Sequence, residues 1–255
     1  MVLDTGAAGA VFVDEVLVQE GGLAVQYLDT AQGRLGQCYL GPLRIGLLCL
    51  ERPLGWIVQS RQEGPSDLRP IIVGLPALEG LSYLLLDNVR REAELSRQRE
   101  FRPGPADSWE TCPLVIRKDS RGFPMLLAEM PVAGGPIQVQ LDTGSGRGLT
   151  VPQRLWDRIG PRLRHTDLRE GSDLYPYLGN MPCKHGVAQG LGVGPITFDS
   201  CPISVVPNDS ALLDAGQAMM GMSCFRDKVL VLDFRHQTLW IKDPHPNTGT
   251  AFDVL

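Results

Sequence analysis

The chain is short of lysine, of helical periodicity and of long apolar runs. No run approaches the roughly 20 apolar residues that a helical membrane span requires, so no membrane span is expected. Only four lysines accompany scattered arginines, and 24 basic residues face 29 acidic ones for a net charge of −5. That balance offers no basic patch, which leaves nucleic acid without a footing as a partner. The six cysteines (Cys38, Cys49, Cys112, Cys183, Cys201 and Cys224) include no CxxC pair, and no histidine reads as standing at metal-ligand spacing. Neither a metal nor any other cofactor is therefore expected. Cys38 with Cys49 and Cys183 with Cys201 could each close a short loop, and six buried free thiols in a reducing compartment fit equally well. His165, His185, His236 and His245 lie far apart, outside any nucleophile motif. "DTGSG" lacks the first glycine of a Gly-x-Ser-x-Gly elbow, and "GSGRG" lacks the lysine and the following helix of a phosphate loop.

What the chain has in quantity is punctuation. Its 29 glycines and 20 prolines cut it into short apolar runs, the pattern of many short strands joined by tight turns. "AVFV", "GWIVQ", "MLLAEMPV", "IQVQLD", "PISVVP", "KVLVLDF" and "TLWIKD" read as strands. Helices are few: 152–164 opens on Pro152 and places Leu155, Trp156 and Ile159 on one face. The polar stretch 88–101 reads either as a second helix or as a strand and linker.

The sequence also repeats itself. "DTGAAGAVFV" from Asp4 lies over "DTGSGRGLTV" from Asp142 without a gap. "YLGPLRIG" (39–46) then answers "GVGPITFD" (192–199), "PIIVGLPAL" (70–78) answers "QAMMGMSCF" (217–225), and "YLLLDN" (83–88) answers "VLVLDF" (229–234). Four landmarks in one order imply two lobes, 1–100 and 112–255, joined by a linker over 101–111 that is rich in charge, proline and glycine. The second lobe spends about thirty residues (112–141) before its Asp-Thr-Gly, where the first has only Met1, Val2 and Leu3. The lead-in strands of the first lobe are accordingly expected to be missing from this chain.

One Asp-Thr-Gly alone is a turn after a strand, as "LDT" at 28–30 illustrates. Two, each with an apolar-apolar-glycine partner at Gly74 or Gly221, resemble the aspartic peptidases of the pepsin and retropepsin kind, whose active site joins two such loops. "LDTGA" with "IIVG" is similar to a retropepsin lobe, and "LDTGS" with "MMGMSCFRDKVLVLDF" to bacterial retropepsin-like proteins. The resemblance implies an all-β fold of two pseudo-symmetric β-barrel lobes with a few short helices and a cleft between them. It implies an aspartic endopeptidase with Asp4 and Asp142 as the catalytic pair. Thr5 and Thr143 would bond across the lobe interface, Gly6 and Gly144 would turn tightly beside the carboxylates, and Ser145 would offer a hydroxyl that Ala7 lacks. A hairpin flap is expected around Ala31, Gln32 and Gly33, with a counterpart at 175–186. The partner would be a polypeptide bound as an extended strand by a monomer, in a bacterial cytoplasm or cell envelope. Two alternatives stay open: a module of this fold that binds peptides without cleaving them, and a truncated chain active only as a dimer.

Overall fold

The computed structural model describes residues 1–243 except 31–32, 47, 59–70, 105–106, 120–121, 133–134, 176–178, 211–212 and 214–216. Strand makes up 53% and helix 11%, as the all-β reading requires. The first half runs β1 (Val2–Asp4), β2 (Val11–Asp14), α1 (Glu15–Glu20), β3 (Val25–Thr30), β4 (Gly33–Tyr39), β5 (Leu43–Ile45), β6 (Leu48–Leu50), β7 (Leu54–Val58), β8 (Ile72–Gly74), α2 (Leu75–Leu78), β9 (Tyr83–Asp87) and β10 (Glu92–Ser96). The second begins with β11 (Glu110–Lys118), β12 (Pro124–Met130), β13 (Ile137–Asp142), β14 (Leu149–Pro152), α3 (Gln153–Ile159), β15 (Arg164–His165) and β16 (Arg169–Tyr175). It continues through β17 (Gly179–Gln189), β18 (Leu191–Val193), β19 (Ile196–Phe198), β20 (Cys201–Val206), β21 (Ala218–Gly221), β22 (Val229–Asp233) and β23 (Thr238–Lys242).

Strand pairing in the two halves follows one scheme. In the first sheet β1 runs parallel to β8, β8 antiparallel to β2, β2 parallel to β7, β7 antiparallel to β4, and β4 antiparallel to β3. The second half repeats that order and polarity with β13, β21, β14, β20, β17 and β16. A small hairpin, β5–β6 or β18–β19, fills the same connection in each. The halves meet where β9 pairs antiparallel with β22, and Leu85 in "YLLLD" sits opposite Val231, the third residue of "VLVLD". Flanking them, β10 pairs with β9 and β23 with β22, each through a four-residue turn. Arg91 and Gln237 take left-handed φ values of 59° and 50° at the ends of those turns. Asp87 and Asp233 brace the turns by accepting backbone N–H bonds from Val89 and Arg90 and from His236.

The stretch 88–101 is thus a turn and a strand rather than a helix. Its backbone pairs with β9, which polar residues at a sheet margin can do without an apolar face. Within 152–164 the expected helix forms over Gln153–Ile159, with Leu155, Trp156 and Ile159 buried, followed by a 3-10 turn at Gly160–Arg162. Within 101–111, Phe101 packs edge-on against Tyr83, Trp109 and Trp240, and β11 already begins at Glu110. Lys242 ties the same stretch down through an ion pair with Asp107.

One large core cluster spans both halves, from Val73, Leu75 and Leu84 to Val139, Leu141 and Met220. The outer part of the first sheet has a separate small core of Val13, Val18 and Cys38. Of the cysteines, Cys201 and Cys224 form a disulfide, neither of the short loops suggested by the spacing, and the other four are free. The pairing joins β20 to the 3-10 turn after β21, elements that only the folded sheet brings together. No helix among the described residues is long and apolar enough to cross a membrane.

Candidate active site

Period-two alternation aims the second aspartate. Ile137, Val139 and Leu141 of β13 are buried, so Gln138, Gln140 and Asp142 face the other way, and the strand ends on the carboxylate. Asp142 stands opposite Gly221 in the parallel pair, and Asp4 stands opposite Gly74 at the end of β1. Each chain then doubles back through a tight loop. Gly6 and Ala7 donate backbone N–H bonds to Asp4 Oδ1 at 2.8 and 3.0 Å. Gly144 and Ser145 do the same for Asp142 Oδ1, both at 2.9 Å.

Glycine is required at four places in this arrangement by space, not by backbone angle. A Cβ on Gly6 would lie 2.5 Å from Asp142 Cγ, and one on Gly144 would collide with Asp4 Cγ. Each glycine of one loop therefore faces the carboxyl of the other. Behind them, a Cβ on Gly221 would reach within 2.7 Å of the Ser145 carbonyl, and one on Gly74 within 2.7 Å of the Ala7 carbonyl. The carbonyls approach because they accept main-chain bonds from Met222 and Leu75 at 2.8 and 3.0 Å.

The two threonines interlock the loops. Thr5 Oγ1 donates to the Leu141 carbonyl at 2.7 Å and accepts from the Thr143 N–H at 3.1 Å. Thr143 Oγ1 donates to the Leu3 carbonyl at 2.7 Å and accepts from the Thr5 N–H at 3.1 Å. Thr5 is fully buried. Segments 138 residues apart in sequence are thereby fixed against each other by four reciprocal bonds.

Asp4 and Asp142 are close enough to hydrogen-bond side chain to side chain. Burial pushes Asp4 above its ordinary value, partly offset by the bonds from Asp142, Gly6 and Ala7. Burial and then the neighbouring Asp4 charge push Asp142 well above its own. Both carboxyls thus resist ionising together, and the pair retains a proton where a free carboxylate has lost it. The pair can accept one proton and donate another within a single site, which is the requirement for general acid and base catalysis without a covalent intermediate.

The remaining sequence-derived residues fall as follows. The Ser145 hydroxyl accepts from the Arg147 N–H at 3.2 Å and so braces its own loop. Gly33 opens β4 opposite Thr30, at the turn of the β3–β4 hairpin, while Ala31 and Gln32 lie outside the described residues. The stretch 175–186 belongs to a second hairpin, β16–β17, whose residues 176–178, Tyr177 included, also lie outside them. Tyr27 is 49% exposed on the first hairpin. Tyr175 is turned inward on the second, and burial pushes its hydroxyl up to about 12.

Sequence reading missed one cluster. Asp173 on β16 lies beside Cys183 and His185 on β17, with Arg147 of the second aspartate loop against it. Cys183 and His185 are two residues apart and share a strand face, a Cys-x-His spacing that was the only signal available. Asp173 joins them across strands, which spacing along the chain does not reveal. No protein-family model matches the chain, and no curated protein matches it significantly.

Proposed function

We propose that the chain is an aspartic endopeptidase of two pseudo-symmetric, retropepsin- or pepsin-like lobes, 1–100 and 112–255, linked through 101–111. The reading is carried by one observation: two aspartates at matching loop positions, in hydrogen-bonding reach, held by reciprocal threonine bonds. The recurrence of strand order and polarity in the two halves supports the two-lobe part of it. So does the pairing of β9 with β22 at the middle of each.

The reaction follows from the shared proton. The ionised carboxyl of the pair takes a proton from a water molecule as its oxygen attacks the peptide carbonyl carbon. The protonated carboxyl gives its proton to the carbonyl oxygen, so a neutral gem-diol forms and no charge builds on it. Returning that proton to the pair while the other carboxyl protonates the nitrogen breaks the C–N bond and releases an acid and an amine. Gly6 and Gly144 leave the carboxyls room to meet, and the threonine bonds keep them from drifting apart. Substrate would lie as an extended strand, gripped through its backbone beneath the β3–β4 and β16–β17 hairpins, on a monomeric chain.

The test is incubation of the purified chain with an unstructured polypeptide at mildly acid pH, with products read by mass spectrometry. Internal cleavage is expected. Retention of the polypeptide without cleavage would instead favour the binding-module reading.

A further inference from the structure

We propose that Asp173, Cys183 and His185 form a binding site for a borderline-soft divalent cation, of which zinc is the best fit. The three offer a carboxylate oxygen, a sulfur and an imidazole nitrogen within 4.8 Å of one another. That mixed donor set suits zinc, or cobalt in its place, better than magnesium or calcium, which take oxygen alone.

The geometry is poorly explained as a hydrogen-bond network alone. His185 Nε2 lies 3.0 Å from Cys183 Sγ and 3.0 Å from Asp173 Oδ1. A neutral ring nitrogen has either one proton or one lone pair, so it can serve one of those partners well and not both. Asp173 is fully buried, yet its second oxygen, Oδ2, has no hydrogen-bond partner among the described residues. An orphaned buried carboxylate oxygen is costly, and a cation would satisfy it together with the other two donors.

The surrounding residues also make room for this convergence. Gly171 faces Cys183 across the hairpin, and a Cβ there would lie 2.8 Å from His185 Nδ1. Its lack of a side chain lets the imidazole lie over β16 and reach Asp173. Arg147 Nη1 holds Asp173 Oδ1 at 2.8 Å, an outer partner that orients the carboxylate. Its positive charge opposes a second cation, so affinity is held below that of a four-thiolate site. Zinc bond lengths imply donor-to-donor separations of about 3.3–3.7 Å in a tetrahedron, so the donors must open by roughly half an ångström on binding. The half-exposed His185 ring has the freedom to supply that movement.

Binding is balanced by loss of one proton. Burial and the Asp173 charge keep the Cys183 thiol protonated, up to about 11. Formation of the metal–sulfur bond breaks the S–H bond, and the proton passes to solvent. The ion would then cross-link β16 to β17. This inference does not depend on peptidase activity, since its readout is spectroscopic.

The experiment is titration of cobalt(II) into the full chain after dialysis against a chelator. One equivalent should produce tetrahedral d–d absorption and a thiolate-to-cobalt charge-transfer band, both bleached by one equivalent of zinc. Cys183→Ser should remove the charge-transfer band, and His185→Gln should weaken cobalt binding at least about tenfold. Asp4→Asn should bind as the parent does, which separates this site from the aspartate pair. His185 is half exposed, so its variant remains informative if Cys183→Ser does not fold. Absence of the band in the parent, its persistence in Cys183→Ser, or equal affinity in His185→Gln would each overturn the proposal.

Discussion

Asp142→Asn should lower peptide hydrolysis by at least about 10²–10⁴-fold, the contribution typical of a positioned acid or base. The substitution is nearly pure in its effect. Asparagine keeps an Oδ1 that can accept from Gly144 and Ser145, so the loop has no reason to open. It removes the capacity to exchange a proton with Asp4. The same variant should be more thermally stable than the parent at neutral pH. Both carboxyls are raised in the folded chain above the ordinary 3.8. Between 3.8 and the raised values the folded form therefore holds protons that the unfolded chain has released. Parent stability falls as pH rises through that window, and below 3.8 the penalty is absent. The gain in melting temperature of Asp142→Asn should be large at pH 7 and vanish near pH 3. A variant less stable than the parent at every pH would contradict the desolvated, mutually repelling pair. Unchanged hydrolysis would remove Asp142 from the chemistry.

Thr5→Val should be the most destabilising conservative change in the loops. Valine matches threonine in shape, so little packing is lost. The Leu141 carbonyl loses its donor and the Thr143 N–H its acceptor, at a site with no exposure to water at Thr5. Each orphaned buried group costs about 1–3 kcal/mol, which puts the variant roughly 2–6 kcal/mol below the parent. Thr143→Val breaks the mirror-image bonds to Leu3 and Thr5 and should cost less, because Thr143 is only partly buried. All four bonds form one network, so the double variant should depart from the sum of the singles by about 0.5–3 kcal/mol. Urea unfolding of the three proteins measures this. Strict additivity would mean that the loops are held independently.

The residues of the aspartate pair were legible in the sequence because their chemistry and their repetition are both local. Asp-Thr-Gly, the apolar strand before it and the glycine partner each occupy a few consecutive positions, and the second copy removes the ambiguity of the first. The same holds for β13, whose alternating Ile137, Val139 and Leu141 write the strand directly. The β16–β17 hairpin was harder to read. Four of the seven residues in β16 are exposed one after another, so main-chain pairing specifies the strand and no apolar period announces it. Residues 88–101 stayed open between helix and strand for the same reason: β10 is largely exposed and polar, and only its partner β9 settles it as a strand. The disulfide between Cys201 and Cys224 and the meeting of Asp173 with His185 depend on which strands are neighbours and in what register, at separations of 23 and 12 residues. Such contacts have no local signature, and the short loops that spacing suggested were a guess about proximity that sheet order overrode.

The measurement closest to the proposed chemistry is titration of the aspartate side-chain carboxyls by carbon-13 NMR, parent against Asp4→Asn and Asp142→Asn. The parent should show two coupled carboxyl signals, with one proton retained well above pH 3.8 and lost in a separate step. Each Asn variant should abolish the coupled step and leave its remaining partner titrating alone. Two signals that titrate independently near pH 3.8, unaffected by either substitution, would show that Asp4 and Asp142 share no proton and form no catalytic pair.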